Sequence, residues 1–259
     1  MSAAEVFRLR RGESRLLISI PHAGIVVPPA IAARLTVAGR ALADTDWHVD
    51  RLYEFVDELD ATLLVATHSR YVVDLNRGPD GAKLYPGQAE TALVPAESFA
   101  GEPIWRGGAP DEVERTSRVT QYWQPYHSAL SAELARLKAA HGTAHLLDAH
   151  SIRSRVPRLF AGALPALSFG TNDGRSASEL FVAQAMAAAG SDYASVLNGR
   201  FKGGWITRHY GRPESGVQAI QLEIAQSAYL DEADPVWNSE RAAGLQAMLR
   251  RLVLALMRR

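Results

Sequence analysis

The chain contains no cysteine among its 259 residues. Disulfides, thiol nucleophiles and cysteine-ligated metal sites are therefore excluded, and any zinc must be held by histidine and carboxylate side chains. An excess of charge is absent too, because 28 basic residues balance 28 acidic ones. This balance argues against a general nucleic-acid binder and against a protein that binds acidic membranes.

Long apolar runs are also missing. No run approaches the length of a membrane span, and the first five residues begin no apolar signal segment. We therefore expect a cytoplasmic protein without membrane association. A hydrophobic content of 47% is enough for a large core, and the length is typical of one domain spanning residues 1–259.

Predicted strands and helices alternate along the chain. We predict strands at 15–20, 62–66, 71–75, 144–149, near 193–197 and at the run containing Glu223, helices at 46–60, 111–140, 175–190 and 236–257, an apolar segment at 159–169, and loops at 76–110 and 198–213. This order predicts a three-layer α/β sandwich, in which a mixed central sheet carries helices on both faces. Loop 76–110 is too long for a simple connector. It is interpreted either as a loop that Phe99 and Trp105 anchor to the protein or as a lid over the site.

Polar side chains end or interrupt three of the predicted strands. His22 follows the first strand in Pro21-His22-Ala23-Gly24, His150 ends the run that starts at Ala144, and Glu223 lies in the apolar run 217–224. Ligand-binding residues of open α/β sheets gather beyond the carboxyl ends of strands. A single histidine in such a place is more often structural, but a buried glutamate is either paired or functional. Together these positions indicate a site.

An acid-rich stretch, residues 44–50, opens the predicted helix at 46–60. Acids at a helix start cap it and complement its dipole, which is a sufficient role for Asp44. Capping does not need Asp44, Asp46 and Asp50 together, so one of them is a candidate metal ligand, and His48 is a candidate supporting group. Two histidines and a carboxylate, with water in the fourth position, are the ligand set of a catalytic zinc site. Because the pieces lie far apart, their spacing gives no local zinc signature.

Basic side chains gather in the loops that carry these motifs. They are Arg70, Arg77, Arg153, Arg155, Arg158, Lys202, Arg208 and Arg212. Guanidinium groups pair with carboxylates in bidentate fashion, which indicates a small anionic substrate. Taken singly, such an arginine is more often a surface charge or a salt-bridge partner. Arg208 and His209 follow Gly203-Gly204 and are candidates to contact the substrate or the leaving group, whereas His127 is expected to be structural.

Eight motifs occur in one order along nearly the whole chain. They are SIPHAG (19–24), DTDWHVDRLY (44–53), THSRYVVDLNRGPDG (67–81), LYPGQ (84–88), DAHSIRS (148–154), PRLFAG (157–162), FKGGWITRHYG (201–211) and GVQAIQLEIAQSAYL (216–230). In these motifs the chain resembles the N-formylglutamate amidohydrolases, the deformylases of histidine breakdown. The resemblance implies a fold related to the zinc carboxypeptidases and the hydrolysis of N-formyl-L-glutamate to formate and L-glutamate.

The same resemblance implies roles for individual residues. His22, Asp46 and His150 would hold one zinc ion, or another divalent metal, which lowers the pKa of its bound water toward roughly 7. Glu223 would be the catalytic base that takes the proton from that water.

Recognition of the substrate is implied in the same way. Asn76 and Arg77 would hold a carboxylate, since zinc carboxypeptidases use a similar pair, and Arg70 would stabilise the oxyanion. Arg153, Arg208 and His209 would complete the substrate contacts.

The chain departs from the family pattern at three places. Gln218 stands where a histidine is expected, Ser168-Phe169 stands where Asn-Leu is expected, and Ser176-Ala177 stands where Ser-Cys is expected. None of these removes an implied metal ligand. Two alternatives stay open: an amidohydrolase for another N-acyl amino acid or small peptide, and a non-catalytic zinc-containing binding domain. The second is disfavoured, because structural zinc sites are usually closed by four protein ligands and need no base.

Overall fold

A seven-stranded mixed sheet forms the centre of the protein, for which a computed structural model describes residues 5–84, 87 and 89–258. Residues 85, 86 and 88 of the motif at 84–88 lie outside the described residues. Across the sheet the strands are β1 (Phe7–Arg10), β3 (Thr62–Ala66), β2 (Leu16–Ile20), β4 (Ala144–Ile152), β7 (Val217–Ala225), β5 (Leu167–Gly170) and β6 (Ser195–Leu197). A separate two-stranded ribbon pairs β8 (Leu230–Asp231) with β9 (Val236–Trp237).

The central strands run in one direction. β2 pairs in parallel with β3 and β4, and β4 pairs in parallel with β7. The antiparallel pairs lie further out, β1 on β3 and β5 on β7. Consequently the carboxyl ends of β2, β4 and β7 meet at one edge of the sheet, where ligand sites of such sheets form.

Helices cover both faces of this sheet. They are α1 (Pro29–Ala32), α2 (Val37–Arg40), α3 (Val49–Leu52), α4 (Glu112–Arg118), α5 (Gln124–His141), α6 (Glu179–Ala189), α7 (Trp205–Tyr210) and α8 (Ser239–Leu256). One apolar core lies between the sheet and α3, α6 and α8, and a second lies between the sheet and α5. Successive residues of β2 enter different cores, Leu16 and Ile18 the first and Leu17 the second. The predicted three-layer sandwich is confirmed. No helix in the part of the chain that the structure describes is long and apolar enough to span a membrane.

The long helix predicted at 111–140 is present, but it contains a wider turn. Residues Val119–Trp123 form a π-helical turn between α4 and α5. Pro125 explains its position, because proline has no N–H to donate to the carbonyl of Gln121, and its ring clashes with that carbonyl in a regular α-helix. The wider turn relieves this clash while the helix continues.

Three local predictions were wrong. Only Val49–Leu52 of the predicted helix at 46–60 is α-helical, because His48 before it has a left-handed φ of 60° and the chain tightens into a 3₁₀ turn at Glu54–Glu58. Residues 71–75 form no strand, although they are buried as a central strand would be. The predicted loop at 198–213 contains α7, and the short edge strand β1 was not predicted at all.

Gly24 allows the chain after His22 to pass directly against the segment that follows β3. A Cβ added at Gly24 would lie 2.4 Å from the carbonyl oxygen of His68, which belongs to backbone and cannot swing aside. At the same place the backbone amide of Val26 donates to the carbonyl of Thr67 at 3.0 Å. The glycine is therefore needed for a close approach of two backbone segments.

We expect Gly24→Ala to lower the free energy of unfolding by about 1–3 kcal/mol, because the added methyl group overpacks a rigid contact. Urea-induced unfolding of the purified variant measures this change. Gly244→Ala is the control: in α8 its Cβ would meet the end of the Tyr193 side chain at 3.0 Å, and alanine favours a helix by about 1 kcal/mol over glycine. A Gly24→Ala protein as stable as the parent would contradict the clash.

Candidate active site

Four side chains from separate motifs meet at the carboxyl edge of the sheet. His22 follows β2, His150 lies near the end of β4, Glu223 lies in β7, and Asp46 precedes α3. The register of β4 and β7 sets His150 directly opposite Glu223. All four side chains are buried, with at most 8% of their surface exposed, and all line one cavity that opens to solvent.

His22, Asp46 and His150 form a group that could hold a metal ion. Their ligand atoms all lie within 4.8 Å of one another. The Oδ2 atom of Asp46 lies 3.1 Å from Nδ1 of His150 and 3.8 Å from Nδ1 of His22. The Nδ1 atom of His22 is buried and has no hydrogen-bond partner within the described residues. A buried nitrogen without a partner, beside a carboxylate and a second imidazole, fits a bound cation.

Two further aspartates lie beside the outer nitrogens of the two rings, and the side-chain amide of Asn76 contacts the second ring as well, with its Nδ2 atom 2.8 Å from Nε2 of His150. The Nε2 atom of His22 donates to Oδ1 of Asp74 at 2.7 Å, and Nε2 of His150 lies 3.1 Å from Oδ1 of Asp148. Both rings therefore turn Nδ1 toward Asp46. Carboxylates that hold the second ring nitrogen are the usual outer partners of metal-binding histidines. Sequence reasoning missed Asp74 and Asp148; the signal for Asp148 was its position two residues before His150, on the same face of the strand.

The electrostatics of this group favour a positive charge between the rings. Burial alone would lower the pKa of His150, but the charges of Asp148 and Asp46 raise it well above the usual range. Burial and the charge of Arg70 lower the pKa of His22. Burial would raise the pKa of Asp46, but the hydrogen bond to His150 and the charges of His22 and His150 hold it below the usual range. The carboxylate thus stays ionised and attracts a cation.

Glu223 has an environment unlike that of Asp46. Burial raises its pKa to about 8, against the opposing effect of the charge of His150. The Nε2 atom of Gln221 lies 3.4 Å from Oε2 of Glu223, and the Oε1 atom of Gln221 accepts from the amide of Gly204 at 2.7 Å. A buried carboxyl group with a pKa near neutrality can both accept and return a proton.

Arg70 joins two of the buried carboxylates. Its Nη2 atom donates to Asp74 at 2.8 Å, and its Nη1 atom lies 3.5 Å from Asp46. It lines the cavity, and 7% of its surface is exposed. The guanidinium therefore provides a fixed positive charge in the cavity wall.

Asn76 and Arg77 both line the cavity, but their side chains have different partners. The amide of Asn76 accepts from the backbone of Ile206 at 2.8 Å and donates to Asp148 at 3.2 Å. Arg77 donates from Nε to the carbonyl of Thr91 at 2.8 Å. Asn76 thus supports the residues around His150, whereas Arg77 brings a charge to the outer part of the cavity.

Gly204 is required where the loop before α7 crosses Asn76. A Cβ at this position would lie 2.3 Å from Nδ2 of Asn76. Gly203-Gly204, for which an ordinary turn was the alternative interpretation, therefore brings backbone close to a side chain of the site.

The remaining predicted substrate residues lie elsewhere. Arg153 is exposed, Arg208 donates to the carbonyl of Gly203 at 2.8 Å, and the exposed His209 stacks on Trp205 with ring centres 4.1 Å apart. None of the three lines the cavity that contains the other residues. Arg200, which sequence reasoning missed, does line it, and it donates to the carbonyls of Leu159 and Ala89 at 2.9 and 2.8 Å. The sequence feature that could have identified Arg200 was its position between a glycine and a phenylalanine in a loop rich in glycine.

The three acids of the 44–50 stretch have different partners. Asp46 joins the histidines, while Asp50 pairs with Arg8 at 2.8 Å. Asp44 does not cap a helix, as had been predicted; it accepts from the amide of Phe99 at 2.8 Å. His48 donates toward the carbonyl of Pro235 rather than toward the site. The geometry therefore favours Asp46 among the acids.

Comparison with known proteins shows what the chain is similar to. The family model for N-formylglutamate amidohydrolase matches residues 14–230. The chain is 50% identical over 257 residues to the N-formylglutamate deformylase of Pseudomonas aeruginosa and 45% identical to that of Pseudomonas putida, covering 98% of this chain and 96% of each relative.

Solved structures show the same similarity. A crystal structure of N-formylglutamate amidohydrolase from Ralstonia eutropha JMP134 superposes with a TM-score of 0.83 at 26% identity, covering 96% of both chains. A gene product of Agrobacterium tumefaciens has the same fold, with a TM-score of 0.72 at 21% identity over 98% of this chain and 94% of that one.

We expect Asp46→Ala to weaken zinc binding more than Asp74→Asn does. Loss of an outer carboxylate costs about 10–100-fold in metal affinity, and loss of a direct ligand should exceed about 100-fold. Competition with a chromophoric chelator measures the affinities. Asp50→Ala, a change in the same stretch, is the control and should keep the parent affinity. If Asp50→Ala empties the site while Asp46→Ala does not, the acidic ligand has been assigned to the wrong residue.

Proposed function

The chain belongs to the N-formylglutamate amidohydrolase family, and from this we propose that it hydrolyses N-formyl-L-glutamate to formate and L-glutamate with one bound zinc ion or another divalent metal. The observation that carries the proposal is the position of Glu223 opposite His150, beside the buried His22–Asp46–His150 group. The deformylases of both Pseudomonas species are similar over almost the whole chain, which supports the substrate. We assign this reaction to histidine degradation, as the resemblance in sequence implies.

The metal would be held by Nδ1 of His22, Nδ1 of His150 and a carboxylate oxygen of Asp46. Nitrogen and oxygen donors suit zinc, and no cysteine competes for it. A cation bound there would activate water and polarise the formyl carbonyl group. Asp74 and Asp148 keep the two rings oriented for this task.

Glu223 would act first as a base and then as an acid. It takes a proton from the water that attacks the formyl carbon, and it delivers that proton to the nitrogen of the departing amine as the C–N bond breaks. The products are formate and glutamate, so the proton is returned within the same cycle. Its burial supports this role, because a carboxyl group with a raised pKa holds the proton until the amine takes it.

Arg70 would stabilise the negative charge that develops on the formyl oxygen. Its guanidinium lies in the cavity wall beside Asp46. Because Asp74 also holds this side chain, its position is set before substrate arrives. Donors fixed in advance need no reorganisation at the moment of reaction, and their effect is usually the largest single contribution to catalysis.

Arg77 and Arg200 would bind the two carboxylates of the substrate. Both line the cavity, and both are held by hydrogen bonds to backbone carbonyls. Two such groups suit a dicarboxylate, and this explains a preference for a glutamate derivative over a neutral amide.

We expect Glu223→Gln to keep its zinc and to lower kcat for N-formyl-L-glutamate by about 10²–10⁴-fold, the contribution of a general acid–base. Formate release measures turnover, and elemental analysis measures zinc. N-acetylglutamate and N-formylglycine, assayed with the parent protein, serve as comparison substrates for the acyl group and the amino acid. Turnover of either above that of N-formylglutamate would favour a different N-acyl substrate, and full turnover by Glu223→Gln would remove the base from the mechanism.

We expect Arg77→Met and Arg200→Met to raise KM for N-formylglutamate, because bound substrate would cover the carboxylate and guanidinium, and truncating one partner of a covered charge pair costs up to roughly 2–5 kcal/mol. N-formylglutamine, which lacks the side-chain carboxylate, separates the two. Replacement of the arginine that pairs with that carboxylate should change the KM for N-formylglutamine little, whereas replacement of the other arginine should still raise it. The exposed Arg153 supplies the control, and Arg153→Met should leave both KM values unchanged. If Arg77→Met and Arg200→Met each raise the KM of both substrates equally, the two arginines do not each bind one carboxylate.

A further inference from the structure

The segment Ser69–Arg77 carries several residues of the site, yet it has no regular backbone structure. Arg70, Asp74 and Asn76 belong to it, and every residue from Ser69 to Asn76 is buried. Buried carbonyl groups that belong to neither helix nor sheet need other hydrogen-bond donors. The donors that they receive decide where the segment lies.

One side of the helix that runs from α4 to α5 supplies these donors. Arg118 donates from Nη1 to the carbonyls of Tyr71 and Val72 at 3.3 and 3.0 Å, His127 donates from Nε2 to that of Leu75 at 2.9 Å, and Trp123 donates from Nε1 to that of Arg77 at 3.0 Å. All three donor side chains are at least nine-tenths buried. We call Arg118, Trp123 and His127 the donor column.

The π-helical turn brings the donor column into line. Its members are spaced by five residues and then by four. On a regular α-helix, five residues turn the side chain by about 500°, which leaves it about 140° away from the first. The turn at Val119–Trp123 absorbs one extra residue, so that Arg118 and Trp123 face the same segment. Turns of this kind occur often at functional sites.

The backbone around Asn76 is held from two sides. His127 holds the carbonyl before Asn76, and Trp123 holds the carbonyl after it. The carbonyl of Asn76 itself accepts from the amide of Trp205 at 3.3 Å. Three consecutive carbonyl groups, those of residues 75–77, are thus fixed by partners far away in the sequence.

His127 is suited to permanent donation from Nε2. The carbonyl of Leu75 can only accept, so Nε2 must carry the proton, and Nδ1 lies 3.1 Å from the hydroxyl of Tyr210, which also donates to the carbonyl of His127 at 3.3 Å. Its ring packs on Trp123 with centres 3.8 Å apart. Burial lowers its pKa to about 3, so the ring is neutral and keeps one tautomer across the pH range of an enzyme assay.

We propose that Trp123 and His127 are positioning residues, which set the backbone of residues 75–77 so that Arg77 faces the substrate and Asp74 holds His22. The proposal rests on the proposed function in two respects, the binding of substrate by Arg77 and the binding of a metal ion by His22. Neither positioning residue lines the cavity, so each acts through the segment that it holds.

The first test compares two tryptophans. Trp123→Phe keeps an aromatic ring and loses the N–H. Trp105→Phe is its matched control, because Trp105 is buried to a similar degree, 5% against 8% exposed, and donates to a carbonyl of another loop, that of Pro95 at 2.7 Å. We expect Trp123→Phe to raise KM for N-formylglutamate by about tenfold while kcat changes by less than about twofold, since small displacements of a binding group are costly.

The Trp105→Phe control shows which result would contradict the proposal. Both variants should lose similar thermal stability, and Trp105→Phe should keep the parent KM. A KM for Trp123→Phe equal to that of Trp105→Phe would show that the N–H does no more than stabilise the fold, and the proposal would be overturned.

The second test does not depend on turnover. His127→Leu removes the donor to Leu75, next to Asp74, and we expect it to weaken zinc binding by about tenfold, as the loss of outer support does. His127→Gln restores a donor and should recover most of the affinity, measured by chelator competition. An unchanged affinity in His127→Leu would overturn the proposal. If the parent protein failed to hydrolyse N-formylglutamate, the proposed function would fall, and this zinc measurement would still decide the positioning role.

Discussion

Arg70 balances the buried negative charge around which the site is arranged. Asp46 and Asp74 are almost completely shielded from water, and a buried carboxylate without a partner costs several kcal/mol. The guanidinium reaches both of them, at 3.5 and 2.8 Å. Asp46 can then turn its other oxygen to the two histidine rings, and Asp74 can hold His22. The position of each possible metal ligand is therefore tied to one permanent cation, so the group is organised before any metal or substrate binds.

The sequence predicted those parts of the site that follow from the geometry of parallel strands. His22, His150 and Glu223 could be placed together because each lies near the carboxyl end of an apolar run, and such ends meet at one edge. The pattern of residues narrowed the acidic ligand to three acids, and only the family resemblance pointed to Asp46, since the contact of Asp46 with His150 appears only in three dimensions. The three layers followed from the alternation of strands and helices.

What could not be predicted depends on side chains that satisfy distant backbone. Residues 71–75 look like a strand in sequence because four of the five are apolar. The carbonyls of Tyr71, Val72 and Leu75 instead accept from side chains of a helix about fifty residues later. The role of Asp74 was hidden for the same reason. Arg200 lies in a loop whose backbone crosses closely over Gly170 at Gly203, and this crossing appears only in three dimensions.

The ladder between β4 and β7 has a mechanical consequence. His150 and Glu223 are direct partners in one run of backbone hydrogen bonds, and the spacing of paired strands is about 4.8 Å. A slip by one residue would turn one of them to the opposite face, so intermediate separations are not accessible. Rearrangement of the surrounding loops can widen or narrow the entrance without altering this spacing. Access for a substrate and the distance between the two groups are thus governed by separate parts of the molecule, and selection can alter one while leaving the other untouched.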